Sequence, residues 1–118
     1  MTTQQVANRL VELCRQGKID QAQNELFDND AVSIESNESM GPMEIKGLAG
    51  IKEKSQRFDA MLEHFYSATI SDPVIAGNWF SIAWDMDAQM KGQARMLMSE
   101  ICVYKVDNGK IISEQFFF

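Results

Sequence analysis

The C-terminal third of the chain constrains its fold more than any other stretch. From Phe80 to Met90, apolar side chains fill the even positions and mostly polar ones fill the odd positions. Such alternation is typical of a strand with one buried face. Lys91-Gly92 leads into a second strand, Ala94 to Val106, and Asn108-Gly109 separates it from a third, Lys110 to Phe118. Because both residues of Asn-Gly tolerate positive φ, the dipeptide predicts a type I′ hairpin. This segment therefore predicts a meander of three antiparallel strands.

Three amphipathic helices are predicted before the meander. Residues 3–16 and 18–27 carry apolar side chains at helical spacing, and Gly17 is placed to end the first helix in a left-handed conformation. A third helix, with Lys52 and Lys54 on its polar side, is predicted to lie across the sheet. Its stripe consists of Leu48, Ile51, Ser55, Phe58, Leu62 and Phe65.

The remaining segments complete an α+β order. Residues 31–35 predict a short strand, residues 36–47 a loop, and residues 65–76 a strand broken at Asp72-Pro73, because proline cannot donate to a ladder. Helices would then cover one face of a cone-shaped, strongly bent antiparallel sheet in a single domain spanning residues 1–118. A cone of this kind has an open mouth and predicts a small-molecule pocket.

Composition excludes several partners. The chain has 118 residues with 11 basic and 17 acidic side chains, a net charge of −6, and no basic run, which argues against nucleic acid and against an anionic membrane. The N-terminus lacks the pattern of a signal peptide, and no apolar segment is long enough to span a membrane. We therefore expect a cytoplasmic protein.

The sequence offers few residues that could bind a metal or a cofactor. Cys14 and Cys102 are far apart in apolar patterns, which favours buried free thiols in a reducing cytoplasm over a disulfide. One histidine and two distant cysteines give no metal-ligand spacing, and no phosphate-binding loop or catalytic serine signature is present. We expect neither a metal nor a cofactor.

Several short motifs occur in an order that resembles a known superfamily. They are Arg9–Leu13 followed by Gly17–Asp20, then Asn29–Glu35, then Gly47–Ile51 before the third helix, and finally Asp107–Ile112. Together they resemble the nuclear-transport-factor-2-like superfamily, in particular its SnoaL-like polyketide cyclase and ketosteroid isomerase-like branch. The resemblance implies a cystatin-like α+β barrel. Because that superfamily contains isomerases, cyclases, dehydratases and pure binding modules, fold alone does not define function.

The resemblance also implies positions for catalytic groups. It places Glu35 at or next to the position of the isomerase base, where the carboxyl would end an apolar strand at the mouth of the cone. The position of the oxyanion-binding tyrosine is occupied by Leu10, and that of the oxyanion-binding aspartate by Cys102. Neither side chain can stabilise an enolate with a strong hydrogen bond, which argues against classical steroid isomerisation.

Periodicity leaves open which face of strand 94–106 points inward, and the resemblance favours the even face. Glu35, Glu100 and Glu114 would then line one cavity as candidate acid/base groups, since carboxyls clustered in an apolar site raise one another's pKa. The alternative is that Glu100 and Glu114 lie on the outer face, in water or in an interface. The candidate ligand-binding residues are Leu10, Phe58, Phe80, Ile82, Trp84, Met86, Cys102, Tyr104 and Phe116.

Three functions remain open from the sequence. The first is a small-molecule-binding domain of unassigned activity, whose ligand is apolar or carbonyl-containing. The second is a cofactor-independent isomerase, cyclase or lyase that transfers a proton on a small carbonyl compound. The third is a structural homodimerisation module. Leu97, Ile101 and Val103, beside Trp79, would form an apolar outer face that the helices do not cover, so we also expect a homodimer through that face.

Overall fold

Among the described residues, two helices precede the sheet and a third lies between its second and third strands. The computed structural model describes residues 1–38 and 41–118. Helix α1 (Thr3–Arg15) begins with a capping box, in which the Thr2 hydroxyl accepts from the Gln5 amide while the Gln5 side chain accepts from the Thr2 amide. Gly17, at φ 72°, turns the chain into α2 (Ile19–Leu26), as the sequence predicted. Helix α3 (Leu48–Met61) follows later in the chain.

In the described part of the chain, seven strands form one sheet. They are β1 (Phe27–Ile34), β2 (Glu44–Lys46), β3 (Leu62–Ile70), β4 (Val74–Ala76), β5 (Trp79–Met90), β6 (Arg95–Asp107) and β7 (Lys110–Phe117). Their order is β2-β1-β7-β6-β5-β3, with β4 paired to the far end of β5. The predicted meander is β5, β6 and β7, and the predicted break at Asp72-Pro73 separates β3 from β4. Asn108 and Gly109 have φ values of 49° and 73°, which fit the predicted turn.

The predicted α+β class is confirmed, with two differences in the sheet. Strand β1 pairs with β7 in parallel, so the sheet is mixed rather than wholly antiparallel. Parallel neighbours are joined by long crossover connections, here the whole segment from β2 to β6, and local patterns do not reveal them. Within the described residues the sheet also ends at β2 on one side and at β3 on the other, so it curves strongly without closing into a barrel.

Several predicted boundaries were wrong. Strand β1 begins at Phe27 rather than at residue 31, because an irregularity between Phe27 and Val32 absorbs the polar residues without ending the strand. The segment predicted as a loop, 36–47, contains β2, and its residues 39 and 40 lie outside the described part of the chain. Helix α3 ends at Met61, so Leu62 and Phe65 belong to β3.

The core lies between the helices and the concave face of the sheet. Helix α1 packs on β3 and β5, while α3 packs on β1 and β2. The largest fully buried side chains come from both layers: Phe80, Leu13, Leu26, Ile51, Ile82, Ile111, Val6 and Cys102. Because α1 and α3 cover different strands, the concave face between them is left uncovered and forms the candidate site.

Candidate functional site

A wide cavity of about 1410 Å³ lies between α3 and the concave face of the sheet. Helix α1 contributes Leu10 and Cys14 to its wall, and α3 contributes Ser55 and Phe58. The even-numbered side chains of β5 to β7 supply much of the opposite wall. Apolar side chains predominate, with a few polar groups among them, which is the composition of a small-molecule pocket.

Strand pairing orders the inner side chains in rows across the sheet. In the first row, Ser33 lies beside Glu114, Glu114 beside Tyr104, and Tyr104 beside Phe80, and all four are at most 5% exposed. In a later row Glu100 lies beside Trp84, followed by Met98 beside Met86 and Met96 beside Ala88. Met96 is 46% exposed. The cavity therefore narrows to a buried polar row and opens at a methionine-rich mouth.

Lys54 of α3 connects the carboxyl groups at the buried end. Its ammonium donates to Glu35 Oε1 at 2.8 Å and to Ser33 Oγ, and lies 4.0 Å from Glu114 Oε1. The same nitrogen lies 4.8 Å from the centre of the Phe116 ring. The Lys54 and Glu35 side chains are only 15% and 18% exposed, so their ion pair is weakly screened by solvent.

Glu114 is the most perturbed carboxyl of the site. Burial raises its pKa to about 7, and the charges of Glu35 and Glu100 act in the same direction. Lys54 and a hydrogen bond with Ser33 oppose that shift without cancelling it. A carboxyl with a pKa near neutrality can both hold and release a proton under ordinary conditions.

The Glu100 carboxyl is also partly removed from solvent. Burial raises its pKa, and the Cys102 thiol, which donates to Glu100 Oε1 at 3.5 Å, partly counteracts that effect. Burial also raises the pKa of the Cys102 thiol and of the Tyr104 hydroxyl, and it raises the pKa of the Cys14 thiol to about 12. These three groups therefore stay protonated at neutral pH.

The predicted site residues fall into two groups. Glu35, Glu100 and Glu114 all line the cavity, together with the candidates Leu10, Phe58, Trp84, Met86, Tyr104 and Phe116. Phe80, Ile82 and Cys102 belong to the buried core, where the Phe80 ring stacks on Tyr104 at 4.8 Å between ring centres. Their participation in ligand binding stays a prediction. Cys14 and Cys102 are both free and buried.

Sequence reasoning missed Lys54 and Ser33. Lys54 was placed on the polar side of its helix, yet it lies three residues after buried Ile51 and four before Phe58, which puts it on the edge of the same stripe. Ser33 shares its strand face with Glu35 by the two-residue period of a strand. Both signals were present in the spacing.

A second polar cluster is engaged in structural bonds. A concavity of about 420 Å³ lies beside α1, where Arg15 donates to the Ile70 carbonyl and pairs with Asp72 at 2.9 Å. Those bonds already tie α1 to the end of β3.

Over the described ranges, 1–38 and 41–118, no group of three His, Cys, Asp or Glu side chains has the arrangement of a metal site. None of the helices in those ranges is long and apolar enough to cross a membrane.

Comparisons with solved structures give close matches of fold. A SnoaL-like protein from Mesorhizobium loti, provisionally named a polyketide cyclase with the bracketed term carbohydrate phosphatase, is 28% identical over 100% of both chains, with a TM-score of 0.92. A protein of unknown function with a cystatin-like fold from Xanthomonas campestris is 16% identical, with a TM-score of 0.83 over 99% of this chain and 90% of that one.

A third structure has a similar fold. A hypothetical protein from Catenulispora acidiphila with a ketosteroid isomerase-like fold, in complex with trimethylamine, is 18% identical, with a TM-score of 0.74 over 96% of this chain and 84% of that one. A search among curated proteins finds no match. The profile of the SnoaL-like domain family matches residues 1–118, the whole of the chain. The chain therefore belongs to the SnoaL-like domain family.

Proposed function

We propose that the protein binds a small, largely apolar ligand carrying a carbonyl group, in the cavity between α3 and the concave face of the sheet. The observation that carries this proposal is the separation of polarity within the cavity. Its mouth is lined by methionine and aromatic side chains, whereas its buried end holds Lys54 and three carboxyl groups. An apolar body would occupy the mouth, and a polar head would face the buried end.

The walls suit a flat or bulky ligand. Trp84, Phe58 and Phe116 provide ring faces, Leu10 provides an aliphatic contact, and Met86 adapts its shape to what it touches. Tyr104 lines the narrow end. We assign ligand contact to these six side chains and a supporting role to the core residues Phe80, Ile82 and Cys102.

The polar end offers donors to a carbonyl oxygen. Burial raises the pKa of Glu100 and raises that of Glu114 to about 7, so Glu114 holds a proton in mildly acidic solution. A protonated carboxyl donates a hydrogen bond, and so does the Lys54 ammonium. The site therefore favours a ligand that ends in a hydrogen-bond acceptor.

A second candidate is an enzyme that transfers a proton on such a ligand. The pKa of about 7 at Glu114 favours it, since acid/base groups work best when their pKa lies near the working pH. Glu35, Glu100 and Glu114 are its candidate catalytic groups, and the reaction classes are isomerisation, cyclisation and elimination. The relative from Mesorhizobium loti, with its provisional name of polyketide cyclase, supports the same direction.

The binding proposal is tested with a neutral fluorescent dye, N-phenyl-naphthylamine, which brightens in apolar surroundings. We expect saturable binding to the protein. Trp84→Ala should weaken dye binding by about tenfold, because the aromatic wall that stacks on the dye is lost. The matched control is Trp79→Ala, which removes the second tryptophan of the chain; Trp79 lies outside the cavity lining. Equal losses in both variants, or no saturation, would contradict the proposal.

We further propose that the 118 residues form one domain that assembles as a homodimer through the outer face of the sheet. Ile101 and Phe117 are 53% and 48% exposed there. Ile101 pairs directly with Phe117 across β6 and β7, so these two side chains form one patch. The two free buried thiols, Cys14 and Cys102, support the proposal of a reducing cytoplasmic environment.

A further inference from the structure

Lys54 holds an unusual position among the cations of the chain. It lies on α3 between buried Ile51 and the cavity residue Phe58, and its side chain is only 15% exposed. Lys52, on the same helix, is 21% exposed but pairs with Asp20, whose side chain is 77% exposed, so the Lys52 ion pair faces solvent whereas that of Lys54 does not. A lysine is rarely buried to this extent unless a partner uses its charge.

Two of the three ammonium protons of Lys54 have acceptors among the residues that the structure describes. Ser33 Oγ and Glu35 Oε1 are within hydrogen-bond distance. The next carboxylate oxygen, Glu114 Oε1, lies at 4.0 Å, beyond that distance. An ammonium carries three donors, so one donor is left for an acceptor brought into the cavity by a ligand.

The charges around Lys54 favour an anionic acceptor. The carboxyls that face it are Glu35 after β1, Glu100 on β6 and Glu114 on β7. Glu35 forms the direct ion pair, whereas burial raises the pKa of Glu100 and raises that of Glu114 to about 7. When Glu114 holds its proton, it does not compete for the Lys54 ammonium 4.0 Å away, and a second negative oxygen can take the remaining donor.

We infer that Lys54 selects the ligand by binding a negatively charged oxygen, such as that of a phenolate, an enolate or a carboxylate. The inference rests on the proposed function, because it names the chemical class of the polar head. A purely structural Lys54 would only neutralise Glu35 and would show no preference between ligands.

A pair of matched ligands separates selection from general binding. Dinitrophenolate carries an anionic oxygen, and dinitroanisole has the same ring with that oxygen methylated and neutral. Each is titrated against the dye N-phenyl-naphthylamine at pH 6, and the ratio of the two affinities is compared between wild type and variants. Lys54→Met removes the charge, Lys54→Arg keeps it, and Lys46→Met removes an exposed charge on β2, outside the cavity lining, as a control.

The expected result is a preference for dinitrophenolate that Lys54→Met lowers by about 10- to 100-fold, as for a lost hydrogen bond to a charged group. Lys54→Arg should retain most of the preference, and Lys46→Met should change it by less than about threefold. The pH dependence of the wild type gives a test without any substitution. The preference for dinitrophenolate should fall between pH 6 and pH 8, because Glu114 ionises around pH 7 and then competes for Lys54.

Two outcomes would overturn the inference in distinguishable ways. An unchanged ratio in Lys54→Met, or a wild-type preference that does not fall with pH, would reject Lys54 as the selecting group while dye binding upheld the proposed function. Failure of the wild type to bind the dye and both ring compounds would reject the proposed function, and this inference with it.

Discussion

At the scale of single residues, the site is defined by a carboxyl that burial keeps from ionising readily. Glu114 lies beside Ser33 in the parallel β1–β7 register and beside Tyr104 across β6. Its nearest cation, Lys54, is shared with Glu35, which is closer. Desolvation therefore outweighs attraction, and the pKa of Glu114 rises to about 7.

Glu114→Gln should stabilise the protein above neutral pH. In the wild type the unfolded carboxyl ionises near pH 4.5 and the folded one near pH 7, so stability falls as pH rises between these values. Gln keeps the shape and removes the titration. The advantage of the variant should grow from pH 4.5 to pH 7 and then level off at roughly 3 kcal/mol, at ~1.4 kcal/mol per pKa unit.

Urea denaturation at pH 5 and pH 8 measures this difference. Glu53→Gln changes an exposed carboxylate on α3 and serves as the control, with less than about 0.5 kcal/mol of change between the two pH values. A Glu114→Gln variant whose stability ran parallel to that of the wild type across this range would show that the carboxyl titrates as if it faced solvent.

At the scale of elements, the two halves of α3 have different roles: the first half packs into the core, and the second half lines the cavity. Ile51 is fully buried against the sheet, whereas Phe58 is half-buried in the cavity wall. Ile51→Ala should cost about 2–5 kcal/mol of unfolding free energy by leaving a cavity in the core. Phe58→Ala should cost less than about 2 kcal/mol and should weaken dye binding instead. Denaturation and dye titration of both variants test this division, which a larger stability loss at Phe58 would refute.

The β6–β7 hairpin depends on a glycine with little room around it. Gly109 has φ 73°, and a Cβ added there would lie 2.9 Å from the Met1 nitrogen. Gly17 has a similar φ of 72° with no atom of the described residues within 4 Å of such a Cβ. Gly17→Ala should therefore cost about 1–2 kcal/mol from backbone strain alone, and Gly109→Ala should cost more. Equal losses in thermal or urea denaturation would mean that the contact with Met1 is immaterial.

The sequence predicted the elements whose signals are local and missed those whose partners are distant. Alternation from Phe80 onward and the Asn108-Gly109 dipeptide predicted β5 to β7 nearly to the residue. The end of α3 was misplaced because Leu62 and Phe65 continue a helical spacing that fits a strand equally well. The parallel β1–β7 pairing, and with it the contact of Ser33 with Glu114, depends on residues some eighty positions apart, which no local pattern contains.

At the scale of the whole molecule, the two faces of the sheet divide the proposed roles. The concave face lines the cavity, and the outer face presents the apolar patch of Ile101 and Phe117. Ile101→Glu should convert a dimer to a monomer, because it places charge at the centre of that patch. Sedimentation of the wild type, of Ile101→Glu and of the control Met43→Glu tests this. A monomeric wild type at micromolar concentration would reject the dimer.

The most direct test of the account uses the methionines as reporters of the cavity. Met61, Met86, Met90, Met96 and Met98 line it, while Met1 lies at the β6–β7 turn and Met43 precedes β2. With methionine methyl groups labelled by carbon-13, the protein is titrated with acetonaphthone, a neutral aromatic ketone, and followed by NMR. We expect saturable shifts of the Met86 and Met98 methyls with little change at Met1 and Met43. Shifts of equal size at all four methyls, or none at Met86 and Met98, would contradict it.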